Sequence, residues 1–135
     1  MGKHSGRCLC GAVTFSLSDD PVGTRACWCR DCQYICSGNA SLSVFFRQSA
    51  LRVTGAVAEF SAISDAGNLI RRRFCPICGT PLFADAPAEP DYLIVRLGAL
   101  DNREIGAPAT TIWTASAPSW AWFDHEKPHT PGQPR

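Results

Sequence analysis

Eight cysteines in 135 residues, seven of them gathered into three short knots, constrain this chain more than any other feature. The knots are Cys8-Leu9-Cys10-Gly11, Cys27-Trp28-Cys29-Arg30-Asp31-Cys32 and Cys75-Pro76-Ile77-Cys78-Gly79, while Cys36 stands apart. The opening Met1-Gly2-Lys3-His4-Ser5-Gly6 lacks the apolar core of a secretion signal, so a cytoplasmic location is the expectation. A reducing compartment disfavours disulfides, and clustered thiols there are read first as metal ligands or redox groups.

The outer two knots complement each other. On a strand, residues i and i+2 share a face, so Cys8 and Cys10 are expected to aim two sulfurs in one direction. In Cys75-x-x-Cys78 a tight turn brings two more together, and Gly79 lets the backbone take a positive φ behind them. Neither pair satisfies a tetrahedral ion; together Cys8, Cys10, Cys75 and Cys78 make a closed four-thiolate zinc site, a clamp across most of the chain. The middle knot has three sulfurs, Cys27, Cys29 and Cys32, and no evident fourth ligand. That is how a zinc ion keeps a position for water or substrate, and another sulfur suits a borderline-soft ion. A thiol held there as its thiolate is a better nucleophile than the free thiol. Other readings stay open. Cys36 is either a small buried hydrophobe or a fourth ligand that closes the middle site. A Cys75–Cys78 disulfide is possible but leaves an odd cysteine in the middle knot, and a thiol redox protein is the main competitor to metal. His4, His125 and His129 lie in terminal stretches, as solvated histidines or as a ligand folding back.

Apolar residues make up 45% of the chain and charged residues 19%, which is globular, and the length fits one domain over residues 1–135. The formal net charge of +1, falling to about −2 once seven thiolates and two Zn²⁺ are counted, argues against nucleic acid or an anionic membrane as partner. No apolar run approaches the ~20 residues of a spanning helix. Val13, Phe15 and Leu17 alternate with Thr14, Ser16 and Ser18, the period of a half-buried strand. Leu42–Phe46, Leu51–Val53, Val57–Phe60, Asn68–Arg71 and Thr110–Thr114 read as further strands, and the longest apolar run, Tyr92–Leu97, as a central one. Short helical turns are expected after Cys29 and near Asp101–Glu104, a loop over Pro87–Asp91, and an extended or frayed tail over 128–135. The fold class is mostly β with few short helical turns.

Taken together, the three knots resemble the glutathione-dependent formaldehyde-activating (GFA) enzyme family, a likeness shared with centromere protein V-like chains. The resemblance runs through Cys10-Gly11-Ala12-Val13-Thr14-Phe15, Arg73-Phe74-Cys75-Pro76-Ile77-Cys78-Gly79-Thr80 and Leu97-Gly98-Ala99-Leu100-Asp101, and on to Ile112-Trp113 and Trp120. It implies an Mss4-like fold, β-sheets stitched by zinc, and carbon–sulfur lyase chemistry that joins glutathione's thiol to formaldehyde. It also implies two zinc ions: a structural one on Cys8, Cys10, Cys75 and Cys78, and a catalytic one on Cys27, Cys29 and Cys32. The implied partner is a small thiol or thiol–aldehyde adduct, glutathione-like. One departure stands out: where the family pattern has His in the middle knot, this chain has Trp28. An indole only donates a hydrogen bond, so it cannot replace a histidine that shuttles protons.

Among the remaining residues, Arg30 is the candidate catalytic arginine because it sits between two presumptive ligands, with Asp31 beside it as a proton acceptor or ion-pair partner. Arg71-Arg72-Arg73 reads as a strand whose charges meet solvent or Asp/Glu, or as a site for a glutathione-like carboxylate. Trp113, Trp120 and Trp122 read as core or pocket walls. The same scaffold also suits a non-catalytic zinc-stabilised β module for protein interaction, since fold alone does not decide function.

Overall fold

A computed structural model describes residues 2–134; Met1 and Arg135, the ends of the expected domain and tail, lie outside the described residues. The chain runs β1 (His4–Arg7), β2 (Thr14–Leu17), β3 (Gly23–Cys27), α1 (Arg30–Ile35), β4 (Ser41–Arg47), β5 (Leu51–Thr54), β6 (Ala58–Ile63), β7 (Leu69–Phe74), β8 (Pro81–Asp85), β9 (Tyr92–Arg96) and β10 (Thr110–Ile112). The mostly β expectation holds. A small antiparallel sheet has the order β1-β2-β5, and a larger one the order β10-β3-β4-β9-β8-β7-β6. The apolar run at Tyr92–Arg96 is the central strand of the larger sheet. Helical turns appear where expected, as α1 and as a 3-10 turn over Arg103–Gly106.

Alternation along the strands gives the large sheet two different faces. Val44 and Phe46 of β4, Leu93 and Val95 of β9, and Phe83 of β8 are buried with Phe15 and Leu17 of the small sheet, so the two sheets share one core. Phe15 meets Phe83 edge to face, with ring centroids 5.0 Å apart, the arrangement that the ring quadrupoles favour. The other face carries Arg25 and Cys27 of β3, Ser41 and Ser43 of β4, and Arg96 of β9 in adjoining register positions.

Strands β1, β3 and β8 carry no strong sequence signal. Glycine and small polar residues weaken the first two and Pro81 opens the third; neighbouring strands recruit them. The expected strand across Cys8–Cys10 is a turn instead. The chain must reverse there to pair β1 with β2, so Cys8 N–H donates to Val13 O (3.0 Å) and Gly11 N–H to Cys8 O (3.2 Å). Gly11 takes φ +80°, a conformation that glycine adopts without steric cost.

Beyond β10 the chain returns to cover that edge. Thr111 N–H donates to Pro128 O, Thr130 N–H to Thr111 O, and Thr114 N–H to Thr130 O, so the open edge of β10 is paired. Among the described residues no helix is long and apolar enough to cross a membrane.

Gly6 tests the junction between the sheets, because a Cβ there would meet the Phe15 ring and the Ala99 carbonyl oxygen. Gly6→Ala is expected to cost about 1–3 kcal/mol by overpacking and to lower the melting temperature by roughly 5–10 °C. A circular-dichroism melt that matches the unmodified protein would contradict this packing.

Candidate functional site

Two hairpin turns meet at the first cysteine group. The turn between β1 and β2 brings Cys8 and Cys10, the turn between β7 and β8 brings Cys75 and Cys78, and the four sulfurs lie within 4.8 Å of one another. Cys8 Sγ is 3.6 Å from Cys10 Sγ, which is 3.8 Å from Cys75 Sγ. A regular tetrahedron with metal–sulfur bonds of ~2.3 Å has sulfur–sulfur edges of ~3.8 Å, so the donor set fits one zinc-sized ion. A disulfide needs sulfurs ~2.05 Å apart, and all eight cysteines are free thiols, which removes the Cys75–Cys78 bridge. The hydroxyl and backbone of Thr80 hold Cys78 down to about 5. A backbone hydrogen bond at Ala12 pulls Cys10 the same way, but burial and the neighbouring sulfurs win and push it up to about 11. The cluster therefore holds thiolate character unevenly, as sulfurs that compete for protons do.

The second group assembles where β3 passes into α1. Cys27 ends the strand, Cys29 caps the helix by accepting Cys32 N–H at 3.4 Å, and Cys32 lies in the first turn. Their sulfurs also lie within 4.8 Å of one another. Cys36, at the far end of α1, does not join them; its N–H bonds to Cys32 O and burial pushes its thiol up. No histidine joins either: His4 bonds to Asp20, while His125 stacks on Phe123, which His129 also meets. Cys27 and Cys29 hydrogen-bond to Cys32 and hold it as a thiolate against burial, with help from Ser41 Oγ (3.0 Å) and the charge of Arg96. Cys27 is raised by its bonds to Cys29 and Cys32 and by burial. Cys29, although Cys27 lowers it, ends raised by Cys32 and burial.

The trio opens into a cleft of roughly 100 Å³ on the polar face of the large sheet. Arg25, Arg72 and Arg96 line it, with the Ser64–Asn68 turn at its rim and Trp113 and Gln133 on one side. Trp113 takes φ +59°, a costly conformation for a bulky residue, and the returning chain holds it there through Trp113 N–H to Gly132 O and Nε1 to Gln133 Oε1 (3.0 Å).

Two residues of the middle knot lie away from the cleft. Arg30 does not line the cleft. The helix turns it outward, where its guanidinium lies 4.8 Å over the Tyr34 ring and donates to Gln33 Oε1 at 2.7 Å. Trp28 lies away from the cleft too. It is buried on the opposite side from the cleft, edge to face with Trp120 at 6.3 Å. The triple arginine splits by alternation: Arg71 and Arg73 pair with buried Asp85, Arg73 also with Glu59, and Arg72 turns to the cleft. Asp31 lies 3.6 Å from Arg72 in the groove beside the cleft. Sequence reasoning missed Arg25, Arg96 and Ser41. The available signal was the serine pair Ser41 and Ser43 at alternate positions of β4, between strands that carry Arg25 and Arg96.

The family model described as glutathione-dependent formaldehyde-activating enzyme (GFA) matches residues 3–116. The chain belongs to the GFA family. The match takes in both cysteine groups and every cleft residue except Gln133. A crystal structure of a Rhodobacter sphaeroides protein, solved as a structural-genomics target, shares the fold at TM-score 0.59. It is 24% identical and covers 77% of this GFA chain and 96% of its own. No curated protein matches the chain.

Because Cys32 is already a thiolate while Cys27 and Cys29 are held protonated, a metal entering the trio is expected to release about two protons. Affinity should then fall about 100-fold for each pH unit lowered between 8 and 6, as protons reclaim those two sulfurs. Ser41→Ala, which removes the donor to Cys32, should weaken binding about tenfold. Calorimetry in buffers of different ionisation enthalpy counts the protons; three released, with no effect of Ser41→Ala, would contradict the assignment.

Proposed function

We propose that the protein is a zinc-dependent carbon–sulfur lyase acting on a glutathione–aldehyde adduct or a related small thiol compound. The observation that carries the reading is the contrast between four sulfurs gathered into one closed group and three gathered at the floor of a cleft. On this reading Cys8, Cys10, Cys75 and Cys78 hold a structural zinc, and Cys27, Cys29 and Cys32 hold a second one with a position free for substrate. Bound there, zinc supplies Lewis acidity and stabilises a substrate sulfur as its thiolate.

The chain's own residues supply the rest. Ser41 orients Cys32 through its hydroxyl, which fixes one donor of the trio. The arginines at the cleft wall favour an anionic sulfur over a neutral one. In the joining direction the sulfur adds to the aldehyde carbon, the carbon–oxygen π bond opens, and the oxygen takes up the proton that the thiol gave up. The reverse breaks the carbon–sulfur bond and returns the proton to sulfur. A reducing setting such as the cytoplasm keeps the seven clustered thiols available for this role.

Elemental analysis of the purified protein should find two zinc ions per chain. Cys29→Ser should keep the fold, retain one ion and lose at least about 100-fold in the rate of adduct breakdown, followed by NMR exchange of labelled formaldehyde. Cys75→Ser should fail to fold. One tightly held ion, with Cys27, Cys29 and Cys32 readily oxidised, would replace the lyase with thiol redox chemistry; two ions, with no response to any small thiol, would leave a zinc-stabilised interaction module.

A further inference from the structure

Trp113 packs against the group formed by Cys27, Cys32 and Ile112, and its φ of +59° is one that a bulky residue keeps only where its surroundings enforce it. The enforcement comes from the returning chain. Trp113 N–H donates to Gly132 O at 3.3 Å, Thr114 N–H to Thr130 O at 3.1 Å and Ala115 N–H to Pro131 O at 3.2 Å. These bonds fix the backbone at residue 113 but not the direction of its ring, which turns about two side-chain torsions.

Gln133 fixes the ring. Its Oε1 accepts the indole N–H at 3.0 Å, and that amide orientation is the one the pair allows, because an indole nitrogen only donates. Gln133 is itself braced: Pro131 and Pro134 restrict the backbone on either side, and Thr130 Oγ1 donates to Gly132 O at 2.8 Å. Trp113 and Gln133 both line the cleft of roughly 100 Å³ that holds Cys27, Cys29 and Cys32. A space that small is about three water volumes, so the angle of one indole decides what passes. Most of the remaining wall belongs to strands, whose positions the sheet sets. Trp113 and Gln133 stand instead on irregular backbone, joined to each other by a side-chain bond.

We propose that Gln133 is a positioning residue: by holding the Trp113 indole it sets the size of molecule that can reach Cys27, Cys29 and Cys32. The strap that carries it lies beyond residues 3–116, the span that the GFA model matches, so the family match assigns it no part in the site. The inference goes beyond the lyase reading and does not need it, because a size limit acts on any reactant of the trio, whether thiol, aldehyde or oxidant.

Alkylation of the purified protein with iodoacetamide and with its bulky fluorescein conjugate, read cysteine by cysteine through peptide mass spectrometry, tests the limit. The two reagents share one reactive group, so the ratio of their rates reports size and cancels reactivity, including the damping by any bound metal. Cys10, exposed in the four-sulfur group, is the reference within the same sample, and half-buried Cys29 reports the trio. The small reagent is expected to be favoured at least about tenfold more at Cys29 than at Cys10. Gln133→Met keeps the bulk but offers only a weak acceptor, and should cut that preference about fivefold, the scale of one hydrogen bond. Gln133→Glu keeps an acceptor for the indole and should stay within about twofold of the unmodified protein. The Trp113 indole N–H, followed by NMR, should exchange with solvent faster in Gln133→Met and at an unchanged rate in Gln133→Glu. Equal preference at Cys29 and Cys10 in the unmodified protein overturns the size limit. A preference that survives Gln133→Met overturns the assignment to Gln133. A rise in both rates at Cys10 as well as at Cys29 marks general loosening of the fold and overturns the positioning role.

Discussion

Four sulfurs drawn within 4.8 Å of one another, two from each of two hairpin turns, are what the rest of the structure depends on. One turn belongs to the small sheet and the other to the large one, so the group ties together the two layers that form the core. The tie is reinforced by Leu9 N–H, which donates to Thr80 Oγ1 at 3.0 Å from turn to turn. Within the group Thr80 holds Cys78 down, while burial and the neighbouring sulfurs push Cys10 up. The contacts lie 65 residues apart in sequence, and the strands between them are short.

The second constraint is the pleat. One face of the large sheet meets the small sheet and carries Val44, Phe46, Leu93 and Val95; the other carries serines, arginines and Cys27. Buried polar residues on a sheet are normally a liability unless they are paired. Here Ser41 and Ser43 are both buried and both used, one as donor to Cys32 and the other as acceptor from Arg96. The polar face is therefore a built surface rather than an exposed back.

Much of this was legible in the sequence. Ligand counting separates a four-sulfur group from a three-sulfur group because each knot is a short local spacing that survives folding, and two half-sites 65 residues apart complete one another. Alternation at Thr14–Leu17 and the apolar run at Tyr92–Arg96 likewise report their own burial. What sequence adjacency cannot report is direction. Arg30 and Trp28 sit beside trio cysteines along the chain, yet a helix turn carries one to solvent and a strand end sends the other into the packed side opposite the cleft. Arg25, Arg72 and Arg96 come together only through the register of β3, β4, β9, β8 and β7, which no single segment encodes. Gln133 reaches the cleft because the chain doubles back along β10, a long-range pairing with no periodic signature.

The two-faced sheet has an evolutionary corollary. In β4 and β9 core residues stand next to residues that line the cleft: Val44 beside Ser43, Val95 beside Ile94 and Arg96. Mutation can therefore explore the second set while the first keeps the scaffold intact. A lineage built on such a sheet can reshape its cleft by single replacements, without having to reinvent its architecture.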